Sequence, residues 1–241
     1  MKRVSLEPAY VLHRRSYRET SFLVELFSIE YGRLTVVAKG ARKARSSTQG
    51  LLQPFIPLLI SWVGKGELMT LTQVETRGEI KYLQGQCLFA GLYINELLMY
   101  LLQKWDAHPN LYIAYEKTLE RLQVKTLEQK TLRSFEKLLL EELGYGLLPK
   151  SDLSLHDTFL AERYYRFIPE QGFRMCEFGE SFQTTGNIFA GKSLLAIGKE
   201  NWQDEEVLKD AKRLIRLALG MLLGQRSLNS RRLFMQPNEV E

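Results

Sequence analysis

From Tyr10 to about Ile80 hydrophobic and polar positions alternate with a period of two, in short runs broken by turn residues. Tyr10–Tyr17 is the first such run, followed by Arg18-Glu19-Thr20. In Ser21–Ser28 the apolar Phe22, Val24 and Leu26 share one face, and in Arg33–Lys39 Leu34, Val36 and Ala38 do the same. Phe55–Val63 is apolar on both faces, with Pro54 and Pro57 restricting its start to an edge or bulge. Gly64-Lys65-Gly66 reads as a hairpin turn into a fifth strand, Leu68–Glu75. Five strands in about 70 residues, with the longest connection between the third and fourth, predict a small closed barrel of the OB type. Such barrels bind oligonucleotides on one face and with their loops.

After Gln84 the period lengthens to 3.6. Gln86–Trp105 predicts a helix with Phe89, Leu92, Tyr93, Leu97, Tyr100 and Leu101 on one stripe. Asn110–Val124 and Leu127–Leu143 continue the pattern, the latter stopping at Gly144. Tyr164–Phe173 reads as a brief hairpin around Glu170-Gln171-Gly172. A short helix within Asn187–Ile197 ends at Gly198, and a longer one at about Glu205–Leu223 ends at Gly224. Asp204, Glu205 and Glu206 favour its N-terminus. The expected class is α+β: an OB-fold barrel over residues 1–82, then a mostly helical domain over 83–241 with a hairpin insertion at about 147–186. No linker separates the two patterns, which implies that they pack together.

The chain of 241 residues is long enough for one large or two small domains. Its composition, 45% hydrophobic and 25% charged, excludes a disordered or fibrous protein. The net charge of +5 gains meaning from its location: residues 1–80 carry 12 Lys+Arg against 7 Asp+Glu, whereas the remainder carries 21 of each. Positive charge confined to the barrel points to a polyanionic partner. No apolar run is long enough for a membrane span and the N-terminus does not read as a signal peptide, so no membrane partner is expected. Cys87 and Cys176 lie among apolar residues and read as buried free thiols, with a secreted disulfide pair the lesser alternative. Two cysteines with no ligand at metal spacing do not make a zinc site. A reducing, cytoplasmic setting fits.

The sharpest local feature is Lys39-Gly40-Ala41-Arg42-Lys43-Ala44-Arg45-Ser46-Ser47, with four cations in seven residues and no acid. A flexible basic loop can follow a phosphate backbone, each cation displacing condensed counterions. Arg14, Arg15 and Arg18 on the first strand, Arg33 after a turn, and Lys65 are positioned to extend that surface. The bland alternative is a solvated loop, disfavoured because acids are missing from this segment alone. Tyr17, Tyr31 and Trp62 lie near strand ends beside the cations and are candidate base-stacking platforms, although each also suits a barrel rim or core.

Catalytic chemistry is not legible. Neither Gly64-Lys65-Gly66 nor Lys39-Gly40 with Ser46-Ser47 has P-loop or dinucleotide spacing. His13, His108 and His156 are scattered, and Glu141-Glu142 and Asp204-Glu205-Glu206 suit a helix surface and a helix start. A binding protein without cofactor is expected; the alternatives are a nucleic-acid-processing enzyme using the barrel for substrate binding, and a module that binds protein only. In the last helix Lys209, Lys212, Arg213 and Arg216 flank an apolar stripe. With Arg133 beside Leu132 and Phe135 they outline a groove for an acidic-hydrophobic peptide tail, against the plainer reading of ordinary amphipathic helices.

These segments resemble the RecO family of bacterial recombination mediators. Ala9-Tyr10-Val11-Leu12-His13, Glu19-Thr20-Ser21, Val37-Ala38-Lys39-Gly40-Ala41-Arg42 and Leu52-Gln53-Pro54-Phe55 stand in the family's order. So do Gly91-Leu92-Tyr93-Ile94-Asn95-Glu96-Leu97-Leu98, Leu143-Gly144-Tyr145-Gly146, Ala211-Lys212-Arg213 and Ser230-Arg231-Arg232-Leu233-Phe234. The resemblance runs over nearly the whole chain. It implies an N-terminal OB-fold and a helical domain, binding of single- and double-stranded DNA, and annealing of complementary strands without nucleotide hydrolysis. It also implies help in loading RecA onto DNA coated by single-strand-binding protein, together with RecR, at the nucleoid. By the same resemblance the basic loop serves DNA, through Lys39, Arg42, Lys43 and Arg45. The helical domain would hold the acidic C-terminal tail of single-strand-binding protein, where Arg133 falls in the matching Leu132–Glu136 segment. Many members carry a four-cysteine zinc ribbon; the insertion after Gly146 here lacks that set, so the chain resembles the metal-free branch.

Overall fold

A computed structural model describes residues 2–44, 46–80, 82–123, 126–148, 159–177 and 186–234. The chain divides into two compact units, Met1–Leu127 with Ser227–Glu241, and Glu128–Arg226. The change of hydrophobic period at residue 84 falls inside the first unit.

Five strands, β1 (Lys2–Tyr17), β2 (Ser21–Ser28), β3 (Gly32–Ala38), β4 (Leu58–Gly64) and β5 (Leu68–Thr76), close a barrel in the order β1-β2-β3-β5-β4. Alternation decides what lies inside: Val24, Leu26, Leu34, Val36, Leu58, Ile60 and Trp62 are fully buried in its core. β1 is far longer than the expected Tyr10–Tyr17 because it pairs twice, its first half with β4 and its second with β2. Register shifts at Val4/Glu7 and Val11/His13 bend it from one partner to the other. The Glu7-Pro8 interruption is accommodated: the Glu7 carboxylate accepts the Glu30 N–H at 2.8 Å and the Pro8 carbonyl accepts that of Ile29. β4 starts after Pro57 rather than at Phe55, and a single turn, α1 (Thr48–Leu51), interrupts the long connection before it.

Two helices of the first unit pack on this barrel, α2 (Gly85–Leu101) and α3 (Pro109–Arg121). The expected stripe on α2 holds in part: Tyr93 and Leu97 are buried, but Phe89, Leu92, Tyr100 and Leu101 are not, and Cys87, Ala90, Ile94 and Leu98 are buried in addition. A one-face pattern misreads a helix covered on several sides. A Cβ at Gly91 would lie 2.7 Å from Leu83 and 3.0 Å from Phe55, so glycine permits that close approach. Tyr10 and Phe27 on the barrel wall meet Tyr112 and Tyr115 of α3, with ring centroids 5.1–6.0 Å apart. Burial raises the phenol pKa of Tyr112 to about 12 and shifts Tyr10 and Tyr115 in the same direction.

In the second unit, α4 (Gln129–Glu142) precedes a three-stranded sheet of β6 (Tyr164–Ile168), β7 (Gly172–Met175) and β8 (Ile188–Ala190), ordered β7-β6-β8. The β6–β7 hairpin is the expected one, while β8 was not legible. Much of the insertion, residues 149–158 and 178–185, lies outside the described residues. Phe159, Tyr165, Phe167, Phe173 and Phe189 form the aromatic core under the sheet. α5 (Gly191–Gly198) and α6 (Glu205–Leu223) follow, α6 capped by the Asp204 carboxylate accepting the Glu206 N–H at 2.8 Å and closed at Gly224. The chain then returns to the first unit as α7 (Ser230–Leu233), where the Glu96 carboxylate of α2 accepts the N–H groups of Asn229 and Ser230 at 2.8 and 2.9 Å. Cys87 and Cys176 are both buried, and neither forms a disulfide among the described residues. No helix among the described residues is long and apolar enough to cross a membrane.

Candidate nucleic-acid interface

The basic loop leaves the C-terminal end of β3, and the register places that end beside the β1–β2 turn: Tyr17 pairs with Ser21, and Phe22 with Ala38. Backbone contacts tie turn and loop together. The Arg42 N–H donates to the Thr20 carbonyl at 2.9 Å, and Arg42 Nη1 to the Arg18 carbonyl at 3.1 Å. Arg14 Nη1 donates to the Gln49 carbonyl at 2.8 Å, which fastens the far side of the loop to β1. Arg15, Arg18, Lys39, Arg42 and Lys43 are all exposed on this end of the barrel. Tyr17 is half-buried, with the Arg18 guanidinium 5.2 Å from its ring centroid. An open depression between them is lined by Tyr17, Arg18, Glu19, Thr20, Lys39 and Gly40, among others, so one exposed carboxylate, Glu19, sits among the cations. Five solvated cations around a shallow, partly aromatic floor can hold phosphates and admit a base. The loop's fourth expected cation, Arg45, lies outside the described residues. Thr20 and Gln49 were not singled out from the sequence, because they act through backbone carbonyls that carry no side-chain signal.

Three of the expected residues do not join this surface. The Arg33 side chain is 16% exposed, donates to the Met99 carbonyl at 2.8 Å and lies 3.8 Å from the Glu25 carboxylate. It bonds β3 to α2 and is withdrawn from solvent, which corrects its assignment to DNA. Trp62 is 0% exposed inside the barrel core, where protein covers both ring faces, so it is not a stacking platform. Lys65 is exposed, but Thr35 pairs with Leu68 and Lys2 with Gly64, so its turn flanks the start of β3 rather than the end from which the basic loop departs. Tyr31 lies at that same start, edge-on to Trp62 at 5.3 Å and under the Lys2 ammonium at 4.2 Å.

The expected tail groove in the second unit is also corrected in part. Leu132, Arg133 and Phe135 are buried on α4, and Arg133 Nη1 holds the Glu136 carboxylate at 2.9 Å with 7% and 1% of the two side chains exposed. Arg133 is therefore withdrawn from solvent against Glu136 instead of rimming a groove. Lys212 and Arg216 are exposed, one turn apart on α6. A small cleft reaches Leu214 and Ile215 of the same helix and is lined also by Leu148, Ile197, Lys137 and Glu141, the last two paired at 3.1 Å. Among the described residues no group of three or more His, Cys, Asp or Glu is placed to hold a metal ion.

Two family descriptions match this sequence: Recombination protein O N terminal over residues 1–79 and Recombination protein O C terminal over residues 84–232. Among curated relatives, the DNA repair protein RecO of Coxiella burnetii (strain RSA 493 / Nine Mile phase I) is 44% identical over 232 residues, covering 96% of this chain and 98% of its own. That of Pseudoalteromonas atlantica is 43% identical over 227 residues, covering 94% and 92%. That of Dechloromonas aromatica is 40% identical over 241 residues, covering 99% and 98%.

Proposed function

The chain belongs to the RecO family of DNA repair and recombination proteins, and from that premise we propose that it is a recombination mediator that binds and anneals DNA strands. In this reading the barrel, residues 1–82, takes single- and double-stranded DNA on the end formed by the β1–β2 turn and the basic loop. Cations there neutralise phosphates on two strands and lower their repulsion during pairing, with no nucleotide hydrolysed. The observation that carries the reading is the pair of Arg42 bonds to Thr20 and Arg18, which hold loop and turn as one exposed cationic surface. The remainder, residues 83–241, engages partners: the acidic C-terminal tail of single-strand-binding protein at Lys212 and Arg216, and RecR in loading RecA. Such a protein works in the cytoplasm at the nucleoid.

The test is a fluorescence-anisotropy titration with a labelled oligonucleotide at several salt concentrations. Replacing Lys39, Arg42, Lys43 and Arg45 with Ala should flatten the dependence of log affinity on log salt. The expected change in slope is about 0.7–0.9 for each phosphate no longer neutralised. An unchanged slope would remove the loop from the interface.

A further inference from the structure

The barrel carries a second cluster of rings and cations, at the end of β3 opposite the basic loop. Lys2 begins β1, and its ammonium lies 4.2 Å from the Tyr31 ring centroid and 5.2 Å from that of Trp105. Both rings are half-buried. Tyr31 meets Trp62 in an edge contact, and Trp105 is fixed by its backbone N–H, which donates to the Arg33 carbonyl at 2.8 Å. Both rings pack against the barrel core and have the flexible Lys2 ammonium near them. The surrounding side chains are cationic and solvated: Arg3 follows Lys2, Lys65 adjoins Gly64, the register partner of Lys2, and Lys104 precedes Trp105. Exposed carboxylates at Glu30 and Glu67 offset part of that charge, and Asp106 faces His108 at 3.5 Å.

We propose that the Tyr31–Trp105 pair is a second binding site, which stacks a base of single-stranded nucleic acid and is occupied by the Lys2 ammonium until a strand arrives. A ring face that attracts an ammonium is equally a platform for a nucleobase. The ammonium competes with the strand: it must leave the ring before a base can take its place. A second contact on the same barrel would hold a length of strand beyond the loop end, so the inference rests on the DNA-binding reading above and extends it. The two sites differ in physics. The loop end has more uncompensated cations and binds with steep salt dependence; the Tyr31–Trp105 end relies on stacking and binds with shallow salt dependence.

The experiment photocrosslinks the full chain to an oligothymidylate 20-mer containing 5-iododeoxyuridine and maps the adducts by mass spectrometry. Adducts on Tyr31 or Trp105 are expected, in addition to those near Tyr17 and the loop. They should persist when Lys39→Glu, Arg42→Glu and Lys43→Glu are combined, although overall affinity falls. Lys2→Ala removes the competing ammonium and should raise adduct yield at these rings about two- to fivefold. Binding with adducts confined to Tyr17 and the loop would overturn the second site and leave the proposed function standing. So would loss of the Tyr31 and Trp105 adducts in the triple variant, or a yield that Lys2→Ala leaves unchanged or lowers. Failure of the wild-type chain to bind the oligonucleotide at low salt would overturn both.

Discussion

The Tyr115 hydroxyl donates a 2.7 Å hydrogen bond to Asn95 Oδ1, and the Asn95 amide donates in turn to the Leu12 carbonyl at 3.0 Å. This buried relay joins α3 through α2 to β1, at the level where the strand changes partners. A hydrogen bond removed from such a place leaves its partner desolvated, at a cost of about 1–3 kcal/mol. Tyr115→Phe should lower unfolding stability by that amount in urea titration. Asn95→Leu should lower it further, because it removes both hydrogen bonds of the relay. Equal stability of Tyr115→Phe and wild type would show that the relay contributes no net free energy.

Gly32 opens β3 at φ +63°, and a Cβ there would run into the Asp106 carbonyl. The same segment supplies Trp105 to the ring pair described above. Gly66, in the β4–β5 turn, has a similar left-handed φ of +80° with open space around it. Gly66→Ala should therefore cost only the conformational penalty of about 1–2 kcal/mol. Gly32→Ala should cost clearly more, since the clash adds to that penalty. Thermal unfolding of the two variants side by side checks the ordering, and the reverse order would place the α2–α3 connection away from the barrel.

What the sequence made legible follows from how many neighbours each element needs. In β2 and α6 the buried apolar positions follow the local period, Phe22, Val24 and Leu26 in the strand, and the pattern alone places their ends at Ser21–Ser28 and Glu205–Leu223. β1, β8 and α7 depend on partners distant in the chain: Leu58–Gly64 for the first half of β1, Tyr164–Arg166 for β8, Glu96 for α7. No local period announces them. At the candidate site the residue types were legible but their grouping was not, because only the register separates Lys65 from Lys39. Trp62 was avoidable: Leu58, Ile60 and Trp62 share one strand parity, which directs the indole into the core. Arg133 was avoidable too, for Glu136 stands three residues on, where a helix brings a partner.

The burial of that pair changes how the tail site must be tested. Arg133→Ala or Arg133→Glu removes the cation 2.9 Å from a carboxylate that is 1% exposed, and should destabilise the second unit by about 3–5 kcal/mol. Replacing both members, as Arg133→Met with Glu136→Leu, should recover most of the loss, because apolar side chains of similar volume need no counter-charge. Weakened tail binding by Arg133→Glu would then report misfolding rather than the removal of a tail-binding cation. Lys212→Glu with Arg216→Glu lies on the exposed side of α6 and should leave unfolding unchanged. Its effect on binding of an acidic tail peptide, read by anisotropy, is therefore interpretable. Unchanged peptide affinity in this variant would move the tail site off α6.

Glu7 gives the fold a pH dependence whose sign is fixed by its surroundings. The residue is 5% exposed at the bend of β1, and burial raises its carboxyl pKa above the usual 4.5 despite hydrogen bonds from Glu30 and Ser28. Below pH 4.5 the group is protonated in both the folded and unfolded chain, and its contribution to stability is at its greatest. As pH rises, the unfolded chain loses its proton first, and the folded chain must ionise a buried carboxyl or hold the proton against the solvent. The contribution is therefore lost progressively as pH rises from 4.5 through the raised folded pKa. Glu7→Gln keeps an acceptor for the Glu30 N–H and removes the charge. The stability difference, variant minus wild type, should increase as pH rises above 4.5 and level off once the folded carboxyl has ionised. Urea midpoints measured for both chains at about pH 4, 5.5 and 7 check this; a difference that shrinks with rising pH would mean that the Glu30 and Ser28 hydrogen bonds outweigh burial.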